Sequence, residues 1–576
     1  MYGFVILLIA SAIYLAAYFF YGKRLEKNVI KADKSSPTPA LRMCDNVDYY
    51  PANRYVLFGH HFASIAGTGP ILGPAMAMGW GWLPGLLWVW LGNVFIGATH
   101  DYLALMASVR YDGKSIQWIS GRVMSKRTSY SFGVFVWFTM VLVIAAFTSV
   151  VAGMFVATPQ AATSTLALIL VAVFIGFIMY RTRIGFKVST ALGVILLVTT
   201  IFIGHYLPIE LSYKQWNIIL FFYIILASAL PVWCLLQPRD YLNSFLLYAG
   251  LALGFVSLIF ALKPFDFPSF TIFSANVVGS GGGIASPFLP AVPLVIACGA
   301  LSGFHSIVGS GTTSKQLDSE INGLMIGYGG MLTEGFLATV VISSIAIFGT
   351  AVIAANAGIV ESAGYTISSL ISNPVYLGEN YLGVINLLGG APTFFSMSYA
   401  LVLENFARIP YEFGMIFATL WVSAFAITSL DTATRLARFV WQDLLEPVKG
   451  FDLLKNRWVA GIIPAFFGVA LSYTGSYSQL WPAFAGMNQL LASIALMTSA
   501  VWVAKYLKAE RKYVYLIVGP AIFLWFLVTA AIVWYLLYVR PITWGVVIIL
   551  SIGLALNFVL LYDFQNRMKL PGEATG

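Results

Sequence analysis

Long apolar runs alternate with short polar loops along nearly the whole chain. The runs fall at 2–21, 56–78, 82–109, 130–155, 162–180, 188–205, 216–236, 242–262, 289–308, 324–355, 411–430, 458–474, 480–504, 513–538 and 541–562. A helix of about 20 apolar residues crosses a hydrocarbon core roughly 30 Å thick, so the pattern predicts an all-α polytopic membrane protein with about 15 transmembrane helices. Residues 356–408 are mixed, broken by Pro374, Gly389-Gly390 and Glu404, and read as short or re-entrant helices on the outer side.

The polar loops give the bundle a direction. The first run, from Tyr2 to Tyr21, is long and aromatic and lacks a basic leader, so it reads as a retained helix and not a signal peptide. The linker after it carries Lys23, Arg24, Lys27, Lys31, Lys34, Arg42 and Arg54. Cytoplasmic loops are rich in Lys and Arg, which puts this linker inside and the N-terminus outside. Alternating spans then bring Arg110 to Arg127, Arg181, Arg183, Lys187, Arg239, Arg435 to Lys455 and the C-terminal Arg567 and Lys569 to the same cytoplasmic side, with Arg540 as the exception. Three units follow: 1–55, a helix and basic linker; 56–440, a core; and 441–576, C-terminal helices.

Two runs are spoiled in the same way. Ser64-Ile65-Ala66-Gly67-Thr68-Gly69-Pro70 returns as Ser306-Ile307-Val308-Gly309-Ser310-Gly311, 242 residues later. Glycine weakens a helix by about 1 kcal/mol relative to Ala, and proline removes a donor. In hydrocarbon, backbone freed in this way must line a cavity or be buried in protein. Broken helices are therefore expected near 64–70 and 306–313. The alternating topology runs the two in opposite directions, as in the inverted repeats of secondary transporters. Thr313-x-x-Gln316 has the form of a capping box, which would begin a half-helix there with its positive dipole end exposed to an anion. Pro70 suits the first turn of the other half-helix.

Composition narrows the class further. Charged residues make up 10% of the chain and hydrophobic ones 59%, against about 25% charged in soluble domains. The net charge of +9 sits in loops beside spans and is no signal for nucleic acid. Cys44, Cys234 and Cys298 are far apart and offer no disulfide framework and no CxxC pair. With no HExxH or similar spacing, neither a metal site nor an enzyme is expected. What stands out is ionisable residues in apolar runs, which cost roughly 2.5–3.5 kcal/mol each at mid-bilayer and so point to function. These are His60 and His61 before the first break, His100-Asp101, His305 with Lys315 around the second, Glu334 and Asp431. His100, Asp101, Asp431, Arg435 and Arg438 read as lying near the inner face. Of His60 and His61, adjacent on a helix, one must face the bundle interior.

The stretch from Asn53 to Pro70, Gly97-Ala98-Thr99-His100-Asp101, Arg110 to Ser115, Cys298 to His305 with Ser310 to Leu317, Gly327 to Met331 with Glu334, and Thr428 to Arg435 together resemble the carbon starvation protein A family. The resemblance covers most of 50–440. It implies inner-membrane uptake of peptides or pyruvate, proton coupling for pyruvate carriers, and a five-plus-five inverted-repeat core resembling the amino acid–polycation (LeuT-like) fold. Combined with the residues above, it predicts substrate contacts from His61, Ser64, Gly67, Thr68, Gly69, His305, Ser310, Gly311, Thr312 and Thr313. Proton coupling or gating falls to His60, His100, Asp101, Lys315, Glu334 and Asp431. Expected partners are a small-molecule substrate and membrane lipids, with no cofactor beyond a coupling proton. Sodium coupling is the alternative, and a channel or nutrient sensor is the rival class.

Overall fold

Twelve helices among the described residues are long and apolar enough to cross a membrane, from Gly3–Ile30 to Trp544–Lys569. They come from a computed structural model that describes residues 1–45, 48–182, 184–230, 235–279, 282–475 and 477–569. Arg183, Cys234 and part of the Gly279–Gly283 patch lie outside the described residues. The chain is a multi-pass, mostly α-helical protein, as the hydrophobic pattern predicts, but not all-α: Ser274–Val278 and Ile284–Pro287 pair as a two-stranded antiparallel sheet just before the second interrupted run.

Three predicted runs do not yield one continuous long helix. The run at 216–236 gives Tyr213–Ala229, a helix of 17 residues, or about 26 Å at 1.5 Å per residue. The other two, 56–78 and 289–308, are interrupted. Residues 356–408 fold into short helices, and Pro374–Leu387 meets Ala391–Ala407 at a bend of 89°. Gly389 and Gly390 make that bend with φ +89 each, a region open to glycine and costly for other residues. Counted as one span, the bent pair brings the number to 13.

Burial sorts the helices into a core and a rim. Gln479–Tyr506, Lys126–Ala157, Glu320–Ala355 and Tyr411–Leu445 are buried along most of their length, whereas Lys187–Tyr206, Gly3–Ile30 and Trp544–Lys569 are mostly open. Helix Lys187–Tyr206 turns Ile195 and Phe202 outward, and its half-buried neighbour Pro159–Met179 does the same with Leu170 and Phe177, where lipid is their solvent. In lipid no hydrophobic effect presses helix on helix, so close backbone contact does the packing. Gly303 illustrates this: a Cβ there would stand 2.4 Å from both Asn488 O and Ala492 N.

The first interruption lies where the Gly-Thr-Gly-Pro pattern predicts it. Helix Arg54–Ile65 stops, Ala66–Thr68 is unwound, and Gly69–Ala77 begins with Pro70 in its first turn. The second lies earlier than predicted. Helix Phe288–Val295 stops, Ile296–Ser302 is unwound, and Gly303–Gly311 is helical through the Ser306–Gly311 copy. The break follows Pro293 and contains Gly299 at φ +82. The later hydroxyls instead bind their own helix, Ser306 to Gly303 O at 2.7 Å and Ser310 to Ser306 O at 2.6 Å. Thr313–Lys315 is a single 3-10 turn and begins no half-helix. The expected anion cradle at Thr313 is thus reversed, because this is the C-terminal, electronegative end of Gly303–Gly311.

The two interrupted segments cross each other at their breaks. Gly69 abuts Cys298, Gly299 abuts Pro70, and Gly73 abuts Val295 and Ile296. One chain therefore ascends as the other descends, and His61 against Thr313 continues the same antiparallel order.

Candidate functional site

Unwound backbone inside a membrane protein needs partners for its amides and carbonyls, and side chains from neighbouring helices supply them here. Asn488 donates to Ala297 O at 2.9 Å and accepts from Phe304 N at 2.8 Å, so one amide ties both lips of the second break. Gln489 donates to Ile296 O at 2.9 Å and Leu301 O at 3.0 Å. Asn93 donates to Gly299 O at 2.7 Å, and Glu334 Oε1 accepts from Gly299 N at 3.2 Å. The first break is less tied. The hydroxyls of Thr68 and of Ser429, which faces Gly67, are buried and have no hydrogen-bond partner.

Against this crossing lies a chain of buried ionisable groups. Asp101 takes His100 Nδ1 on Oδ1 at 2.7 Å and His305 Nδ1 on Oδ2 at 2.9 Å. A carboxylate only accepts, so both rings present N–H at Nδ1. The far side of His305, Nε2, stands 3.5 Å from Glu334 Oε2. Neither atom has a nitrogen or oxygen hydrogen-bond partner. Two lone pairs this close in a low-dielectric interior repel unless a positive charge lies between them, so the geometry of the gap suits a proton or a cation. Cys298 lies beside them, its sulfur within 4.8 Å of ligand atoms of both His305 and Glu334.

A second set of groups lines a cavity at one end of the crossing. His60, Ser64, Gly311, Thr312 and Lys315 meet there with Asp240 and Arg435. This narrow space continues past Gly311 and Lys315 into a cavity of 400 Å³, also lined by Asp48, Lys114, Trp118 and Asp443. Lys315 lies beyond the spans, and burial pushes its ammonium below the ordinary lysine value. His61 turns inward and binds Thr313 Oγ1 at 2.8 Å, while His60 remains partly exposed. The expectation that one of the pair faces the interior is met by His61.

A third cluster joins two helices beside the cavity. Arg239 pairs with Asp431 and, at 2.8 Å, with Asp240. Tyr223 donates to Asp431 at 2.9 Å, and Asp240 reaches His60 at 3.6 Å. The loop position expected for Arg239 is wrong, since it is 2% exposed inside helix Leu236–Phe260. Arg435 likewise continues helix Tyr411–Leu445 and donates to Ala227 O and Leu230 O, capping the end of Tyr213–Ala229. His100 and Asp101 belong to the buried chain and are not interfacial.

The predicted residues thus divide. Ser64, Gly311, Thr312, His60 and Lys315 share the cavity; His305, His100, Asp101 and Glu334 form the buried chain; Gly67, Thr68 and Gly69 make the crossing. Ser310 is engaged structurally, accepting from Ile116 N at 3.0 Å. Asn93, Tyr223, Asp240, Asn488 and Gln489 escaped the sequence reading. Only Asp240 carried a signal there, a charge beside Arg239 at the head of an apolar run.

The family described as carbon starvation protein CstA matches residues 2–531. The peptide transporter CstA of Bacillus subtilis (strain 168) is 33% identical over 557 residues, covering 93% of this chain and 92% of that protein. The pyruvate/proton symporter BtsT of Escherichia coli (strain K12) is 32% identical over 587 residues, covering 90% and 80%. A manganese transporter of Eremococcus coleocola superposes with a TM-score of 0.45 at 13% identity, over 91% of this chain and 98% of that one. With a family match and relatives that run nearly its whole length, the chain belongs to the carbon starvation protein CstA family.

Proposed function

We propose that this protein is a secondary transporter that imports a short peptide or a small carboxylate such as pyruvate across the inner membrane, by proton symport. The observation that carries the reading is the buried chain Asp101–His305–Glu334 set against the crossing of two broken helices. Its one gap suits a proton, and it touches the segment a moving substrate site would rearrange. The names of the relatives, peptide transporter and pyruvate/proton symporter, support both substrate classes.

In this reading the cavity faces the cytoplasm, since it opens among Lys114, Lys315 and the basic loops, with the N-terminus outside and the C-terminus inside. A substrate carboxylate meets Lys315, with Ser64, Thr312 and His60 as further donors. His61 and Thr313 are paired and buried behind them, and the Gly67-Thr68-Gly69 break follows Ser64 deeper in the protein. Asp431 with Arg239 closes one side as a gate. The core is a LeuT-like inverted repeat with about 15 spans once the broken helices are counted, each long enough jointly for the bilayer. The antiparallel crossing and the close pairing of the long helices Lys126–Ala157 and Tyr411–Leu445 support it.

Sodium coupling has one specific observation in its favour. The bare hydroxyls of Thr68 and Ser429 flank unwound backbone, the ligand type a hard cation prefers. Uptake into proteoliposomes, offering pyruvate and di- and tripeptides under imposed proton or sodium gradients, separates the readings. Accumulation driven by acid outside supports proton symport; accumulation that follows sodium alone, or neither gradient, refutes it.

A further inference from the structure

Sequence spacing offers no metal ligands, yet folding gathers three. Cys298, His305 and Glu334 come from an unwound segment, the half-helix after it and a neighbouring span, and their ligand atoms all lie within 4.8 Å of one another. We propose that these three residues form a binding site for one thiophilic divalent cation of the Zn²⁺ type.

The donor set suits such an ion. Zinc takes thiolate, imidazole and carboxylate in tetrahedral array, with bonds of about 2.3 Å to sulfur and about 2.0 Å to nitrogen or oxygen, so ligand atoms stand roughly 3.3–3.8 Å apart. His305 Nε2 and Glu334 Oε2 are already 3.5 Å apart. A shift of about an ångström at the cysteine completes the set, and three protein ligands leave the fourth position open. The charges also balance: one thiolate and one carboxylate neutralise a divalent ion, which a dry interior requires of any buried charge.

The surroundings hold the ligands as metal sites do. Asp101 accepts from His305 Nδ1, which fixes the tautomer and aims a bare Nε2 at the gap. His100 holds Asp101 from its other side. Gly299 N donates to Glu334 Oε1 and leaves Oε2 free, and Asn488 Nδ2 stands 3.9 Å from Cys298 Sγ as a donor to a thiolate. Gly69 keeps the space clear, since any Cβ there would come within 2.4 Å of the same sulfur. A cysteine that only fills space needs no carboxylate-oriented imidazole and no unpartnered glutamate oxygen directed at it. The His305 helix also reaches the inner cavity through Ile307 and Gly311, which shortens the path of entry.

The gap is the same one assigned above to the coupling proton. A metal seated there excludes the proton and pins the crossing, so Zn²⁺ is expected to arrest transport. That consequence rests on the transport reading; the binding claim does not, and it is tested without substrate.

The experiment titrates cobalt(II) chloride into the full-length protein in detergent, on a Cys44→Ser/Cys234→Ser background that keeps Cys298 as the sole thiol. One equivalent is expected to give a thiolate-to-cobalt charge-transfer band with tetrahedral d–d bands, both bleached by equimolar zinc. Cys298→Ser, a sulfur-for-oxygen exchange, should abolish the charge-transfer band, and Glu334→Gln should weaken cobalt binding at least tenfold. A band absent from the sole-thiol protein overturns the proposal, whatever the variants do. So does a band in the otherwise wild-type chain that survives Cys298→Ser.

Discussion

Replacing Arg239 with glutamine should damage this protein far more than replacing its partner Asp431 with asparagine. Arg239 pairs with two buried carboxylates, Asp431 and Asp240. Arg239→Gln leaves Asp431 buried as a charge held only by the Tyr223 hydroxyl. Breaking a buried pair in this way costs about 3–5 kcal/mol. Asp431→Asn leaves the Arg239–Asp240 pair at 2.8 Å intact. It loses one charge-assisted hydrogen bond, worth about 1.5–3 kcal/mol. The double variant Arg239→Gln/Asp431→Asn removes both charges together and should recover much of the loss, with a coupling of at least about 2 kcal/mol. Reversible unfolding in mixed detergent, followed by tryptophan fluorescence, measures all four corners of the cycle. If the two single variants are equally destabilised and the double variant is no better than Arg239→Gln, the cluster is not electrostatically coupled and the reasoning fails.

Three further outcomes follow from the same geometry. Asn488→Leu strips partners from Ala297 O and Phe304 N, two groups at roughly 1–3 kcal/mol each, and should lower stability in the same assay by about 2–6 kcal/mol. Gly69→Ala forces a Cβ to within 2.4 Å of Cys298. It should cost about 1–3 kcal/mol, with partial rescue by Cys298→Gly, which vacates that space. Lys315→Gln should raise the KM for a carboxylate substrate about tenfold to a hundredfold, the worth of one hydrogen bond to a charged group. Because burial holds Lys315 below the usual lysine value of about 10.4, affinity should fall as pH rises and should begin to fall earlier than for an exposed lysine. Lys315→Arg should move that fall to higher pH.

Much of the architecture was legible because lipid leaves the chain few choices. Apolar runs of spanning length became helices, and the Gly67-Thr68-Gly69-Pro70 break lay where proline and glycine put it. The second break was misplaced because the Gly309-Ser310-Gly311 copy looks like the first. That copy stays helical, with its hydroxyls satisfied by their own helix, and the chain unwinds instead around Gly299. Ionisable residues in apolar runs marked the site, since His305, Asp101 and Glu334 stood out by their cost alone. Their assembly was not legible: Cys298 and Glu334 are well separated in sequence, and no local period links them. Arg239 opens an apolar run and so looks like a loop charge, and its partner lies 192 residues away. Asn488 and Gln489 carry no charge and so left no mark in the pattern, although they hold the second break together.

In the proposed transport cycle a proton crosses with substrate through the His305–Glu334 gap. This passage is tested most directly by proton flux into proteoliposomes carrying a pH-sensitive dye, on adding pyruvate or a dipeptide without an imposed gradient. The wild-type protein should acidify the lumen as substrate enters. Glu334→Gln should still bind substrate and exchange it across the membrane, yet move no protons. Substrate entry without acidification in the wild type, or unchanged acidification in Glu334→Gln, would rule out proton passage through this gap.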